Sequence, residues 1–185
     1  MIENEFKVML DENRYKMLLT LYPFETKEQT NYYYDTDNLT MSEKRITVRV
    51  RELDRKYYLQ LKLPTGTTHS RVELSKEINN IPETISSMEL EILAKNQGIK
   101  FPDVKRLGAL KTIRSVYKFQ GGEVDLDKSE YFGKTDYEVE IEFTDETAAR
   151  SMLNEITQKL DISPCSDVCT GKIHRFMEQW KLSQQ

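Results

Sequence analysis

Glu3, Glu5 and Lys7 fall at every second position near the start of the chain, with Ile2, Phe6 and Val8 on the alternate positions. In a β-strand that period of two sets both carboxylates and the ammonium on one face and the apolar side chains on the other. Neighbouring carboxylates repel unless positive charge stands between them, and Lys7 supplies only part of it. The construction returns later, where Glu138, Glu140 and Glu142 alternate with Val139, Ile141 and Phe143, and Asp125 and Asp127 alternate with Val124 and Leu126. Glu3, Glu5, Asp127, Glu138 and Glu140 together offer hard oxygen ligands, which suit Mg²⁺ or Mn²⁺ over zinc or copper. A second set is basic: Lys7, Arg49, Arg51, Lys62 and Arg114. Their forked and point-charge donors match phosphate oxygens. Magnesium binds through a few carboxylates plus substrate phosphates, so the two sets describe a site for a metal-bound polyphosphate.

The elements that must position these residues read mostly as half-buried strands. Val48 and Val50 alternate with Thr47, Arg49 and Arg51; Leu59, Leu61 and Leu63 alternate with Tyr58, Gln60 and Lys62; Val72 and Leu74 alternate with Arg71, Glu73 and Ser75. Ile113, Tyr117 and Phe119 oppose Arg114 and Lys118, and the aromatic run 31–36 supplies an eighth strand. Gly121-Gly122, the turn around Gly66 and Phe132-Gly133-Lys134 are short connections, which imply antiparallel neighbours. Four helices are expected: from Asp11 to about Leu21, from Pro82 to about Gln97, from Thr144 or Asp145 through Leu160, and from Gly171 to about Leu182. Their apolar stripes need the strands' apolar faces.

Two layouts satisfy this pattern. An open sheet could leave its charged face in water, or the sheet could close into a barrel with the charged faces around a common lumen. Arg49 beside Arg51, and Glu138 beside Glu140 and Glu142, stack like charges that repel unless compensated, which favours closure. A membrane barrel is excluded because its outer band would meet lipid, not amphipathic helices.

The 185 residues are enough for one core, with no linker-like shift in composition, so one domain over 1–185 is expected. A net charge of -4 gives the chain no general attraction to nucleic acid or anionic membranes. The acidic start lacks signal-peptide character and no apolar run approaches the roughly 18 residues of a membrane span, so a cytoplasmic location is expected. Cys165, Cys169, His69 and His174 are too few and too scattered for a structural zinc site.

Glu3-Asn4-Glu5-Phe6-Lys7 resembles the E-x-E-x-K signature of the CYTH domain, the triphosphate tunnel metalloenzymes, in a small stand-alone bacterial form. The resemblance continues in order through Tyr33-Tyr34-Asp35-Thr36, Arg49 and Arg51, Leu61-Lys62 with Pro64, Arg71 with Glu73, Arg114, Leu126-Asp127, Glu138-Val139-Glu140, and Lys172 with Arg175. That family includes class IV adenylate cyclases, thiamine triphosphatases and inorganic triphosphatases. The resemblance implies an α+β fold: a closed eight-stranded antiparallel β-barrel, a tunnel with a charged interior and helices on the outside. It assigns Lys7, Arg49, Arg51, Lys62, Arg71, Arg114 and Lys172 to the phosphates, and Glu3, Glu5, Asp127, Glu138 and Glu140 to one or two Mg²⁺ or Mn²⁺ ions. Lys172 enters only through the resemblance, since periodicity does not select it.

The expected activity is metal-dependent hydrolysis of inorganic triphosphate or a small organic triphosphate, with Lys7, Glu140 and Arg51 as the catalytic residues. No dedicated general base stands out. One alternative is an adenylate cyclase, which would share the phosphate and metal constellation; another is a non-catalytic polyphosphate or nucleotide binder. A small-molecule triphosphate is the expected partner, with monomer and homodimer both open.

Overall fold

The computed structural model describes residues 2–65, 70–95, 97–162 and 170–184. Among these, the chain runs β1 (Ile2–Leu10), α1 (Glu12–Leu21), β2 (Glu25–Asp35), α2 (Thr40–Glu43), β3 (Thr47–Leu53), β4 (Lys56–Pro64), β5 (Ser70–Ile78), β6 (Thr84–Ile85), α3 (Ser87–Leu93), β7 (Val104–Phe119), β8 (Gly122–Tyr131), β9 (Lys134–Phe143), α4 (Glu146–Lys159) and α5 (Lys172–Ser183). The fold is α+β: one nine-stranded sheet in the order β2-β3-β4-β5-β1-β9-β8-β7-β6, every pair antiparallel. β2 also pairs with β7, from Glu25 opposite Val116 to Asp35 opposite Lys105.

Register carries the charged residues onto a shared face. Lys7 lies opposite Glu140, Glu5 opposite Glu142, Lys62 opposite Glu73, and Arg114 opposite Asp127. Arg51 lies opposite Asn31, which in turn lies opposite Leu110 on β7. Because side chains alternate, the residues between these must point the other way.

They meet the helices there. Val124, Leu126, Val139 and Ile141 are buried with Leu18 of α1 and Ala149 and Ile156 of α4. Val48, Val50, Leu59, Leu61 and Leu63 are buried with Met41 of α2 and Leu90 of α3. Each fully buried aliphatic side chain contributes about 1.5 to 3 kcal/mol, enough to fix which face is inward. The helix α5 is different: Phe176 and Met177 bury against Tyr33, Leu110 and Tyr131, on strands that also carry the charged rows. Gly108 allows this approach, since a Cβ there would stand 3.2 Å from the Phe176 ring.

Several elements differ from the sequence pattern. The stretch from Pro82 forms the short β6 before a helix, because Ser86 caps α3 with Glu89 closing a reciprocal box, so the helix starts at Ser87 and ends at Leu93. The helix α2 has no apolar stripe to announce it; buried Asp35 accepts from the backbone N–H of Met41 and Ser42 and organises the turn. β7 begins at Val104, well before Ile113, because Leu107-Gly108-Ala109-Leu110 lacks polar alternation yet pairs with β2.

The turn between β7 and β8 depends on two glycines. Gly121 adopts φ +101°, and a Cβ on Gly122 would stand 2.2 Å from the Glu142 carbonyl oxygen. Gly122→Ala must therefore displace β9 beside its acidic row. The expected loss is about 1 to 3 kcal/mol in denaturant unfolding; an unchanged midpoint and slope would contradict the register described.

Candidate functional site

Glu140 is the centre of the charged face. Buried in the middle of β9, it is contacted by Lys7 of β1 at 2.5 Å, Arg114 of β7 at 2.7 Å and Lys172 of α5 at 3.0 Å. Burial alone would protonate it, but Lys172, Lys7 and Arg114 hold it well below the usual carboxylate range. Lys7 also reaches Glu5 at 3.4 Å. Burial opposes its charge, yet Glu140 holds the ammonium above its ordinary range.

Arg114 is the second node. Its Nε donates to Asp127 Oδ1 at 2.9 Å and its Nη2 to Asp127 Oδ2 at 2.7 Å, a forked pair; it also contacts Asp125, and Glu142 stands at 3.8 Å. Burial works against the guanidinium, but Asp127, Asp125 and Glu140 keep it firmly charged. Lys172, the first residue of α5, sits among Asp127 at 2.6 Å, Glu140 and Glu138. Burial is again overcome, by Asp127, Glu140 and Glu138, so this ammonium is held protonated. Arg175, one turn later, donates from Nε to Asp136 at 2.8 Å and from Nη2 to Glu138 at 2.9 Å.

The other half of the face is basic. Arg49 donates to Gln60 Oε1 at 2.8 Å and lies 3.4 Å from Glu73, which Lys62 reaches at 3.1 Å. Arg51 donates to the neutral Asn31 Oδ1 at 3.1 Å, and among the described residues no carboxylate is in contact with it. Burial, with the like charges of Arg49 and Arg114, pulls Arg51 down to about 9. A guanidinium stays protonated at any ordinary pH, so the shift measures how poorly this cation is satisfied. An anion between Arg49, Arg51 and Arg114 would satisfy it.

Among the described residues, three carboxylate groupings have oxygens within 4.8 Å of one another: Asp127–Glu138–Glu140, Glu5–Glu140–Glu142 and Glu123–Asp125–Glu142. Hard oxygens at such spacing fit a divalent cation of the magnesium class. Two of the buried carboxylate oxygens are met by ion pairs alone, Asp125 Oδ2 by Arg114 and Glu138 Oε1 by Lys172, and Asp125 Oδ1 has no hydrogen-bond partner among the described residues.

Most of the residues singled out by the sequence thus converge: Glu5, Lys7, Arg49, Arg51, Lys62, Arg114, Asp127, Glu138, Glu140 and Lys172. Glu3 lies in β1 opposite Arg71, and its side chain is outside the described set, as are Cys165, Cys169 and His69. Arg71 continues the row of Glu73, and its Nη1 donates to the Arg45 carbonyl at 3.3 Å. Glu77 is well exposed and 3.9 Å from Lys56, whereas Glu73 orients two cations. Asp125 is the main omission from the sequence-derived set. It shares the alternation of Asp127, so periodicity alone would have included it. Arg175 had no such signal, because its partners lie 37 and 39 positions earlier.

A family model for the CYTH domain matches residues 1–169. The chain is 30% identical to YjbK of Bacillus subtilis (strain 168), named as a candidate triphosphatase, over 98% of this chain and 97% of that one. A crystal structure of a candidate adenylate cyclase from Bacillus halodurans is similar with a TM-score of 0.72 and 26% identity, covering 94% of this chain and 96% of the other. HpAC1 from Hippeastrum, described as a candidate adenylyl cyclase with a dominant triphosphatase activity, shares the fold at a TM-score of 0.68 and 21% identity, covering 96% and 95% of the two chains.

Asp125 provides a pH test of this charge balance. Burial pushes its carboxyl from 3.8 up to about 7; Arg114 opposes the shift, and Glu142, Asp127 and Glu140 add to it. The folded protein then holds a proton that the unfolded chain has released, so stability falls as pH rises between 3.8 and about 7. Asp125→Asn removes that loss. In EDTA, the melting temperature of the variant relative to wild type should be higher at pH 8 than at pH 5; an equal difference at both would contradict the buried, repelled carboxylate.

Proposed function

The chain belongs to the CYTH domain family, and from that membership and the site geometry we propose that it is a metal-dependent hydrolase of linear triphosphates. One observation carries the reading: Arg51, half-buried beside Arg49 and Arg114, has no carboxylate in contact among the described residues, while a cluster of carboxylates stands on the strands opposite. A phosphate chain bound between them supplies the missing anion to one side and shares a cation with the other.

The pairing of β2 with both β3 and β7 supports treating the eight long strands as a closed barrel and the charged face as a tunnel. The one sheet also supports treating residues 1–185 as a single functional domain. Arg49, Arg51, Lys62 and Arg114 grip the phosphoryl oxygens, with Lys7 and Lys172 beside them and Arg71 at the end of the row. Glu5, Asp127, Glu138 and Glu140, with Glu3, hold Mg²⁺ or Mn²⁺. A bound ion of this class neutralises phosphoryl oxygens and lowers the pKa of water. The side chains then act mainly by position and charge: Arg51 and Lys7 stabilise the negative charge that shifts toward the leaving phosphate, and Glu140 fixes Lys7 and Arg114 in place.

The names of similar proteins include both triphosphatase and adenylate cyclase. We favour hydrolysis because the described constellation serves the phosphates and metal, with no adenine-reading motif evident in the sequence.

The test is phosphate release from tripolyphosphate with Mg²⁺ or Mn²⁺, and cyclic AMP formation from ATP in parallel. We expect orthophosphate without cyclic AMP. Arg51→Gln should lower kcat/KM by about a hundredfold or more, and Glu140→Gln should abolish turnover. Folded wild-type protein that stays inactive on triphosphates with both metals would overturn the proposal.

A further inference from the structure

The Asp127–Glu138–Glu140 cluster already contains a cation, and it belongs to the protein. Lys172 Nζ lies 2.6 Å from Asp127 and 3.0 Å from Glu140 and also contacts Glu138, three residues whose carboxylate oxygens lie close enough together to hold one metal ion. A magnesium-class ion binds such oxygens at about 2.1 Å. It would claim the position of the ammonium, and the two positive charges would repel strongly in a buried setting. Metal entry therefore requires Lys172 to leave.

The surroundings allow that side chain to move without the helix. Lys172 is at the first position of α5, on a flexible four-carbon stem. Its N-cap, Gly171, makes no side-chain cap, and among the described residues nothing stands within 4 Å of where its Cβ would be. One turn later Arg175 stays tied to Asp136 and Glu138, and Phe176 stays packed on Tyr33 with ring centroids 4.8 Å apart. What would draw the ammonium out is a competing anion. Phosphate oxygens held by Arg49, Arg51 and Arg114 provide one.

We infer that Lys172 is a displaceable internal counter-ion, so that divalent metal enters the Asp127–Glu138–Glu140 cluster as triphosphate draws the Lys172 ammonium onto its own oxygens. The inference rests on the triphosphate reading above. Its consequence is reciprocal: metal and triphosphate each tighten the binding of the other by the same factor. In the absence of phosphate the cluster is closed to metal, yet stays neutralised.

The experiment measures Mn²⁺ binding to the full chain, by calorimetry or by the electron paramagnetic resonance of free Mn²⁺, with and without a non-hydrolysable imido-bridged triphosphate. For wild type, the analogue should raise Mn²⁺ affinity by about tenfold or more. Lys172→Gln without analogue should bind Mn²⁺ about tenfold more tightly than wild type, and should gain less from the analogue. Lys100→Gln, which removes an exposed lysine paired with Glu91 outside the charged face, should match wild type and so exclude a simple net-charge effect. Equal Mn²⁺ affinity of wild type with and without analogue overturns the inference, and this comparison needs no variant to fold. Phosphate release by the same preparation separates the two levels: turnover with uncoupled Mn²⁺ binding sinks the inference alone, whereas no analogue binding and no turnover sink the triphosphate reading and the inference with it.

Discussion

Rows of buried carboxylates on adjacent strands must be neutralised from within the protein or by what it binds. Each ion taken from water costs several kcal/mol even after relaxation, and one left without a partner costs more. Glu140 shows how this chain meets the constraint. It draws one cation from β1, one from β7 and one from α5, elements distant in sequence that meet only in the folded state. Apolar burial fixes which face of the strands meets the helices and docks α5 through Phe176 and Met177, and the strand register then brings Lys7, Arg114 and Lys172 to that carboxylate.

The compensation is uneven, and function resides in the difference. The acidic side is served by Arg114 and Lys172, with Asp125 held by its ion pair to Arg114 and its Oδ1 without a hydrogen-bond partner among the described residues. On the basic side, among the described residues, Glu73 contacts both Arg49 and Lys62, and Arg51 donates to a neutral amide. Such a face takes an added anion at Arg51, and a divalent cation once that anion draws Lys172 from the carboxylates. A phosphate chain carrying a metal supplies both.

Much of this was legible in the sequence because β-alternation is a local signal. The rows of Glu138 to Glu142, of Arg49 with Arg51, and of Lys7 with Glu5 needed only a period of two, and α1, α4 and α5 followed from their apolar stripes. What resisted reading was long-range or without period. The helix α2 exists because of the Asp35 carboxylate, the start of β7 depends on its pairing with β2, and α3 was overextended because its capping box lies after β6. Lys172 sits on a helix, so alternation could not place it in the site; only family resemblance suggested it. Asp125 shares the alternation of Asp127 with Val124 and Leu126 and is as legible by period, although the family motif contains Asp127 alone.

The most direct test is a crystal structure of the full chain with the imido-bridged triphosphate and Mn²⁺. The account predicts phosphates enclosed between the two charged faces, gripped by Arg49, Arg51 and Arg114, with metal density on the carboxylates of β8 and β9. Phosphates bound only on an outer surface, with Arg114 and Lys172 still paired to Asp127 and Glu140, would contradict it.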